Sequence, residues 1–173
     1  MTEWTLKDGE RLDDLVRDGM RLIQRPDQFC FSVDSVLLAH YVKPKAKDRI
    51  ADLGTGTGVI SLLVSALGGR DITAFEVNPV MADLARRNIA GNGKEDLIHV
   101  VECDYRKVNE RFPSGSFSLV LANPPYREMG TGKMSMLEGV ASASYEMNAS
   151  LTDVFKTAQY LLKYGGRLAM VHR

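Results

Sequence analysis

The sequence predicts an α/β fold with a doubly wound, mostly parallel sheet. Two observations support this prediction: strand-like and helix-like runs alternate from residue 49 onward, and a glycine-rich turn follows the first strand-like run. In sheets of this kind, ligands bind in the crevice at the carboxyl ends of the strands. We therefore expect functional residues directly after the predicted strands.

The expected elements are, in chain order, strand 49–53, helix 58–67, strand 71–77, helix 78–93, strand 97–103, strand 117–122, helix 150–166 and strand 167–172. The second helix has a well-marked start, because Asn78 is a good N-cap and Pro79 occupies the first helical position. The third helix begins with Ser150 and Asp153 at capping-box spacing and is expected to end at Gly165.

The first 48 residues lack this alternation, and we interpret them as an N-terminal cap packed on the sheet. A strand or irregular segment is expected around 20–24, and a helix over 32–42 that Pro44 ends. Residues 49–173 form the α/β domain.

Composition indicates an ordinary globular protein, with 45% hydrophobic and 25% charged residues. No apolar run approaches the ~18 residues that span a bilayer. The charged N-terminus is unlike a secretory signal, so a cytoplasmic protein is expected.

Cys30 and Cys103 lack metal-site or redox spacing and are expected to be buried thiols; no metal site is predicted. Because the formal net charge is +0, nucleic acid binding would need a local basic patch.

A glycine-rich turn follows the first predicted strand. It reads Asp52, Leu, Gly54, Thr55, Gly56, Thr, Gly58. Glycines at alternate positions let the backbone turn tightly and approach a ligand, and the next helix points its N-terminus at that ligand. The simpler alternative is a glycine-rich turn with no ligand.

An acidic residue, Glu76, follows the second strand. A carboxylate about 20 residues beyond the first motif glycine is placed to accept hydrogen bonds from ribose hydroxyls; the alternative is a solvated carboxylate. The dinucleotide pattern G-x-G-x-x-G fails, because Val59 holds the third glycine position and Gly58 comes one residue early. With Asp52, the pattern D-x-G-x-G-x-G resembles the S-adenosylmethionine site of class I methyltransferases, which have a Rossmann-like fold.

Asp104 and Tyr105 follow the third strand. The carboxylate suits the exocyclic amine of the cofactor's adenine, and the tyrosine ring could pack on that base. The alternative for Asp104 is a cap of a turn or helix.

The fourth strand ends in Asn123, Pro124, Pro125 and Tyr126. Two prolines fix the backbone, so the carbonyls before them are rigid acceptors, and the asparagine side chain adds an amide oxygen. The tyrosine offers a flat face for stacking. This set suits a planar –NH2 group turned toward a methyl donor, with catalysis by orientation and electrostatics. A strand terminator is the alternative.

Together, DLGTGTG and NPPY resemble the amino-methylating class I methyltransferases. Within that group, the chain is most similar to bacterial adenine-N6 methyltransferases of valine tRNA, through the stretches ERLDDLVRDGMRLIQ, FCFSVDSVLLAHYV, LANPPY and ASLTDVFKTAQYLLKYGGRLAMVHR. The resemblance implies that Asn123, Pro124, Pro125 and Tyr126 hold an adenine of the anticodon region. It implies that the glycine-turn residues, Glu76, Asp104, Tyr105 and Asn123 bind the cofactor.

The resemblance also places Phe31, Ser32 and Asp34 near the methionine end or the base pocket. The alternative is that Ser32 caps the helix over 32–42 and Phe31 packs beneath it. We expect the Gly- and Met-rich stretch 127–139 to close over RNA, with Arg127 and Lys133 on phosphates; a plain surface loop is the alternative.

The chain departs from the family at two places. The stretch ASASYE keeps Glu146 but lacks the Arg-His pair that usually precedes it. The chain also ends after the fifth strand, where the class I fold adds two strands and a helix. We therefore expect either a fragment or a sheet edge that another chain completes, as in a homo-oligomer.

Three other functions stay open. NPPY serves a protein glutamine amide equally well, an RNA guanine-N2 methyltransferase has a related domain, and a non-catalytic cofactor-binding module would share the glycine turn. A nicotinamide dehydrogenase is disfavoured by Val59 and by NPPY.

Overall fold

The computed structural model describes residues 4–28, 30–124 and 150–172, and the predicted β/α alternation is present within them. The elements are β1 (Arg11–Asp14), β2 (Arg21–Gln24), α1 (Val33–Val42), β3 (Arg49–Leu53), α2 (Val59–Ala66), β4 (Asp71–Glu76), α3 (Pro79–Gly91), β5 (Ile98–Glu102), a 3-10 helix (Tyr105–Glu110), β6 (Phe117–Ala122), α4 (Leu151–Leu161) and β7 (Leu162–Met170).

Five strands form the main sheet in the order β5-β4-β3-β6-β7, and all the described pairings are parallel. The chain winds outward from β3 in one direction through β4 and β5, and in the other through β6 and β7. The strand order therefore reverses between β3 and β6, which is where an open α/β sheet forms its ligand crevice. This agrees with the predicted doubly wound fold, and β7 is an edge of the described sheet.

The core lies on both faces of this sheet. All six residues of β6 are buried, and its five apolar residues are divided between two apolar clusters. Leu119 and Leu121 face the cluster that includes α1, α2 and Ile89 of α3. Phe117 and Val120 face the cluster formed with the 3-10 helix and α4. A strand covered on both faces reads as a continuous apolar run, which is why FSLVLA contains so little polar character.

The two best-marked helix starts are confirmed. The Asn78 side chain accepts a hydrogen bond from the Val80 N–H, with Pro79 in the first turn of α3. Ser150 and Asp153 form both bonds of a capping box at the start of α4.

The predicted end of the last helix is wrong. Helix α4 ends at Leu161, because Leu162 already has extended backbone and pairs with Phe117 of β6. The strand then bulges, and the next pair along is Leu119 with Arg167. Gly165, expected to stop a helix, lies in this bulge with φ +74°. Pairing with the buried β6 therefore outweighs the local helical pattern of LKYGG.

The N-terminal hairpin of β1 and β2 is held to α3 by two asparagines one helical turn apart. The Asn88 carboxamide accepts from the Ile23 N–H at 2.6 Å and donates to the Ile23 carbonyl at 3.0 Å. Asn92 makes the same two bonds with Arg21, at 3.0 and 2.7 Å. Each side chain thus pairs with β2 as a neighbouring strand would. Trp4 covers Gly91 at the end of the same helix.

The rest of the cap is helix α1, which packs on α2. It ends at Val42, where Lys43 adopts a left-handed backbone before Pro44. The expected strand around 20–24 and helix over 32–42 are thus present as β2 and α1.

Cys30 and Cys103 are half-buried free thiols, so they are less buried than expected. Across 4–28, 30–124 and 150–172, no helix is long and apolar enough to cross a membrane. The same ranges contain no cluster of His, Cys, Asp and Glu arranged to hold a metal ion.

Candidate active site

A cleft opens at the carboxyl edge of the sheet, above the ends of β3, β4 and β6. Leu53 pairs with both Phe75 and Ala122, so the residues that follow these three strands meet at one level. The described residues that line the cleft are Phe31, Ser35, Leu53, Gly54, Thr55, Gly56, Thr57, Val59, Ile60, Glu76, Val77, Met81, Asp104, Tyr105, Arg106, Asn123, Pro124 and Val154.

The glycine turn forms one wall of the cleft. Gly54, Gly56 and Gly58 all have positive φ, at +70°, +58° and +84°, a region that residues with a side chain rarely adopt. A Cβ at Gly54 would meet no atom within 4 Å, so this position faces open space. A Cβ at Gly58 would lie 3.5 Å from Ala85 of α3. The turn therefore needs glycine for its backbone and leaves room for a ligand at Gly54.

Asp52 stabilises the glycine turn through hydrogen bonds and is not among the residues that line the cleft. Its Oδ2 accepts hydrogen bonds from the Thr55 and Ser61 hydroxyls, each at 2.7 Å. Its Oδ1 is buried and has no hydrogen-bond partner within the described ranges. Burial raises the pKa of the Asp52 carboxyl, and the two hydroxyl donors act in the opposite direction. The predicted direct contact with a cofactor stays a prediction.

Glu76 ends β4 and lines the cleft in a fixed orientation. Its Oε2 accepts from the Gly56 N–H and its Oε1 from the Asn78 N–H, both at 2.8 Å. A carboxylate oxygen has two lone pairs and can accept from more than one donor. This carboxylate thus links the glycine turn to the start of α3. Its role as a ribose acceptor stays a prediction.

The Asp104 carboxylate forms a hydrogen bond and an ion pair with Arg106, two positions along the chain. Its carboxylate accepts from the Arg106 N–H at 3.0 Å and pairs with the Arg106 guanidinium at 2.6 Å. The hydrogen bond from this guanidinium lowers the pKa of the Asp104 carboxyl. Asp104 therefore caps the 3-10 helix, as the alternative interpretation of this residue expected. Its contact with an adenine amine stays a prediction. Tyr105, the proposed stacking partner, lines the cleft beside it.

Asn123 and Pro124 line the cleft at the end of β6, the strand next to β3. The Asn123 amide donates a hydrogen bond to the Ser35 hydroxyl at 3.1 Å. Pro125 and Tyr126, the other two residues predicted to hold the substrate amine, lie outside the described residues. So does the stretch 127–139, with Arg127 and Lys133.

One of the three N-terminal residues expected near the cleft is among those that line it. Phe31 lines the cleft, and its N–H donates to the buried Gln24 side chain at 3.1 Å. Ser32 is the N-cap residue of α1, but its side chain makes no capping bond. Asp34 is partly buried and is not among the lining residues.

Ser35, Val77 and Arg106 line the cleft but were not selected from the sequence. Val77 directly follows Glu76, so the rule that ligand-binding residues follow strands would have found it. Nothing local in FSVDS singles out Ser35, because its contact with Asn123 spans 88 positions.

These residues fit the predicted cofactor on two observations. The wall at Gly54 is open, and Glu76 is a preoriented acceptor. The apolar side chains of Val77 and Met81 also line the cleft. An open glycine wall beside a fixed acidic acceptor suits a ligand that carries both a ribose and a positive charge.

Comparison with known proteins identifies curated enzymes of similar sequence and solved structures of similar fold. The tRNA1(Val) (adenine(37)-N6)-methyltransferase of Shewanella amazonensis is 34% identical over 114 residues, which are 66% of this chain and 48% of the relative. The same enzyme of a Flavobacteriaceae bacterium is 30% identical over 144 residues, covering 82% and 59% of the two chains. The chain thus spans about half the length of the curated relatives it matches.

Solved structures share the fold at lower identity. Geranyl diphosphate C-methyltransferase from Streptomyces coelicolor, in complex with S-adenosyl-L-homocysteine, superimposes with a TM-score of 0.60 at 18% identity, covering 81% of this chain and 45% of that one. TYW2 from P. horikoshii, in complex with MeSAdo, gives a TM-score of 0.55 at 22% identity, covering 66% and 42%. The model of the family described as the methyltransferase small domain matches residues 20–173. The chain therefore belongs to the methyltransferase small domain family.

Proposed function

We propose that this chain binds S-adenosylmethionine in the cleft and methylates the exocyclic N6 amine of an adenine in the anticodon region of tRNA. The observation that carries the proposal is that Asn123 and the glycine turn line the same cleft. The strands that end in these two features are neighbours, paired at Leu53 and Ala122. A base amine held by Asn123 would then lie beside the cofactor bound at the glycine turn.

The cofactor would be held by the glycine turn and by Glu76. The Glu76 carboxylate is already fixed by two backbone donors, so it needs no reordering before it accepts the ribose hydroxyls. Tyr105, which lines the cleft, would pack on the adenine ring. When bound, the cofactor supplies a methyl group on a positively charged sulfur, which the substrate amine attacks.

The chain's own contribution to catalysis would come from Asn123 and Pro124. The Asn123 side-chain oxygen and the backbone carbonyls beside it are acceptors for the two hydrogens of a planar amine. Accepting both hydrogens favours a pyramidal nitrogen and directs its lone pair into the cleft. The rate would therefore depend on orientation and electrostatics, with no general base required.

The names of the curated relatives support tRNA as the substrate. Bases of an anticodon loop are largely unpaired, so exposing one to the cleft costs little free energy. Because unmodified tRNA is a cytoplasmic molecule in bacteria, this function also places the protein in the cytoplasm.

The test is methyl transfer from labelled S-adenosylmethionine to unmodified bacterial tRNA, followed by nucleoside mass spectrometry. Label should appear in N6-methyladenosine. Asn123→Ala should lower kcat by roughly 100- to 1000-fold while cofactor affinity stays near normal. Label in protein instead of RNA, or label in guanine, would contradict the proposed substrate.

Cofactor binding is tested separately by calorimetry with S-adenosylhomocysteine. Glu76→Ala should weaken binding by about 100-fold, because it removes a charged acceptor and releases the Gly56 N–H. Glu102→Ala is the matched control: Glu102 ends the neighbouring strand opposite Glu76 but is exposed and lies outside the set of lining residues. Equal affinity in the two variants would overturn the ribose assignment.

A further inference from the structure

The side chain of Asn123 is tied to the N-terminal cap through Ser35. Its Nδ2 donates to the Ser35 Oγ at 3.1 Å, and Ser35 is only 2% exposed. Both residues line the cleft. This bond connects the strand end that is proposed to hold the substrate with a helix that lies outside the main sheet.

The direction of this bond decides which end of the carboxamide faces away from Ser35. A primary amide is planar and has a donor end and an acceptor end, so fixing the nitrogen on one side fixes the oxygen on the other. A hydroxyl can accept from the amide nitrogen or donate to the amide oxygen, so Ser35 holds the carboxamide in one plane, and the substrate amine, a donor, favours the observed orientation with the oxygen toward it. Without the serine hydroxyl, the carboxamide loses this partner and turns about its last side-chain bond.

Ser35 is well placed to fix this orientation. It lies in the first turn of α1, where its N–H donates to the Ser32 carbonyl at 3.1 Å. The helix is packed on α2 and contributes Leu38, Ala39 and Val42 to the main core. A hydroxyl on a packed helix restricts a partner side chain more tightly than a residue on a loop.

We propose that Ser35 is a positioning residue that holds the Asn123 carboxamide with its oxygen directed at the substrate amine. This inference rests on the proposed function, because it assumes that Asn123 accepts the hydrogens of that amine. It also gives the N-terminal cap a part in the reaction that does not involve the cofactor.

The kinetic test compares Ser35→Ala with wild type in the tRNA methylation assay. The variant should lose about tenfold in kcat, the effect of one well-formed hydrogen bond, with unchanged affinity for S-adenosylhomocysteine. In the Asn123→Ala background, adding Ser35→Ala should cost nothing further, because the residue acts only through Asn123. Ser65→Ala is the control, since Ser65 is also a buried helical serine but donates to the Leu62 carbonyl away from the cleft.

A spectroscopic measurement tests the inference even if the proposed function fails. The side-chain amide protons of Asn123, assigned by their loss in Asn123→Ala, should exchange with water about tenfold faster in Ser35→Ala than in wild type. Wild-type protein that leaves tRNA unlabelled would overturn the proposed function alone. An unchanged kcat or exchange rate in Ser35→Ala, or a full further loss in the double variant, would overturn the role of Ser35.

Discussion

Replacing Asn88 with alanine should destabilise the protein by about 3 kcal/mol. The side chain is fully buried and makes three hydrogen bonds, two with Ile23 of the cap and one to the Thr57 carbonyl of the glycine turn at 2.9 Å. Each bond contributes about 1 kcal/mol, and its loss leaves a buried backbone group without a partner. The free energy of unfolding is measured by urea denaturation followed by circular dichroism.

Asn92→Ala is the matched control for this prediction. Asn92 makes the same pair of bonds with Arg21 one turn further along α3, but these two bonds lie at the surface. Water replaces them there, so the expected loss is about 0.5–1 kcal/mol. If both variants lost the same free energy, the buried link between the cap, α3 and the glycine turn would not carry the stability assigned to it.

Two further predictions concern the walls of the cleft. Gly58→Ala should cost about 1–2 kcal/mol in unfolding free energy, because alanine is strained at φ +84°; an unchanged urea midpoint would contradict this. The Arg106 hydrogen bond holds the Asp104 pKa below its unfolded value, so the stabilisation is present above the unfolded pKa and is lost as pH falls through the folded pKa. The stability advantage of wild type over Asp104→Asn should therefore shrink in urea titrations toward acid pH, and a constant difference would refute this assignment.

Local sequence patterns predicted the order of the elements and much of the cleft. Helix starts at Asn78 and Ser150 depend on side chains that bond to amides two or three residues away, so spacing alone reveals them. The rule that functional residues follow parallel strands placed Glu76 and Asn123 correctly in the cleft.

Contacts between distant segments decided the rest. Pairing of Leu162 with Phe117 ended α4 earlier than its own helical pattern indicates. The fold also places the Asp52 carboxylate on the Thr55 and Ser61 hydroxyls, outside the set of residues that line the cleft.

The sequence by itself determined that this protein has a doubly wound α/β fold with a glycine turn and an asparagine-proline corner at one edge. Only the tertiary structure decided that Ser35 meets Asn123 and that Asn88 joins the cap to the glycine turn. The physical reason is the range of the interactions. Caps and tight turns are formed by neighbours in the chain, whereas these hydrogen bonds require the whole sheet and its helices to be packed first.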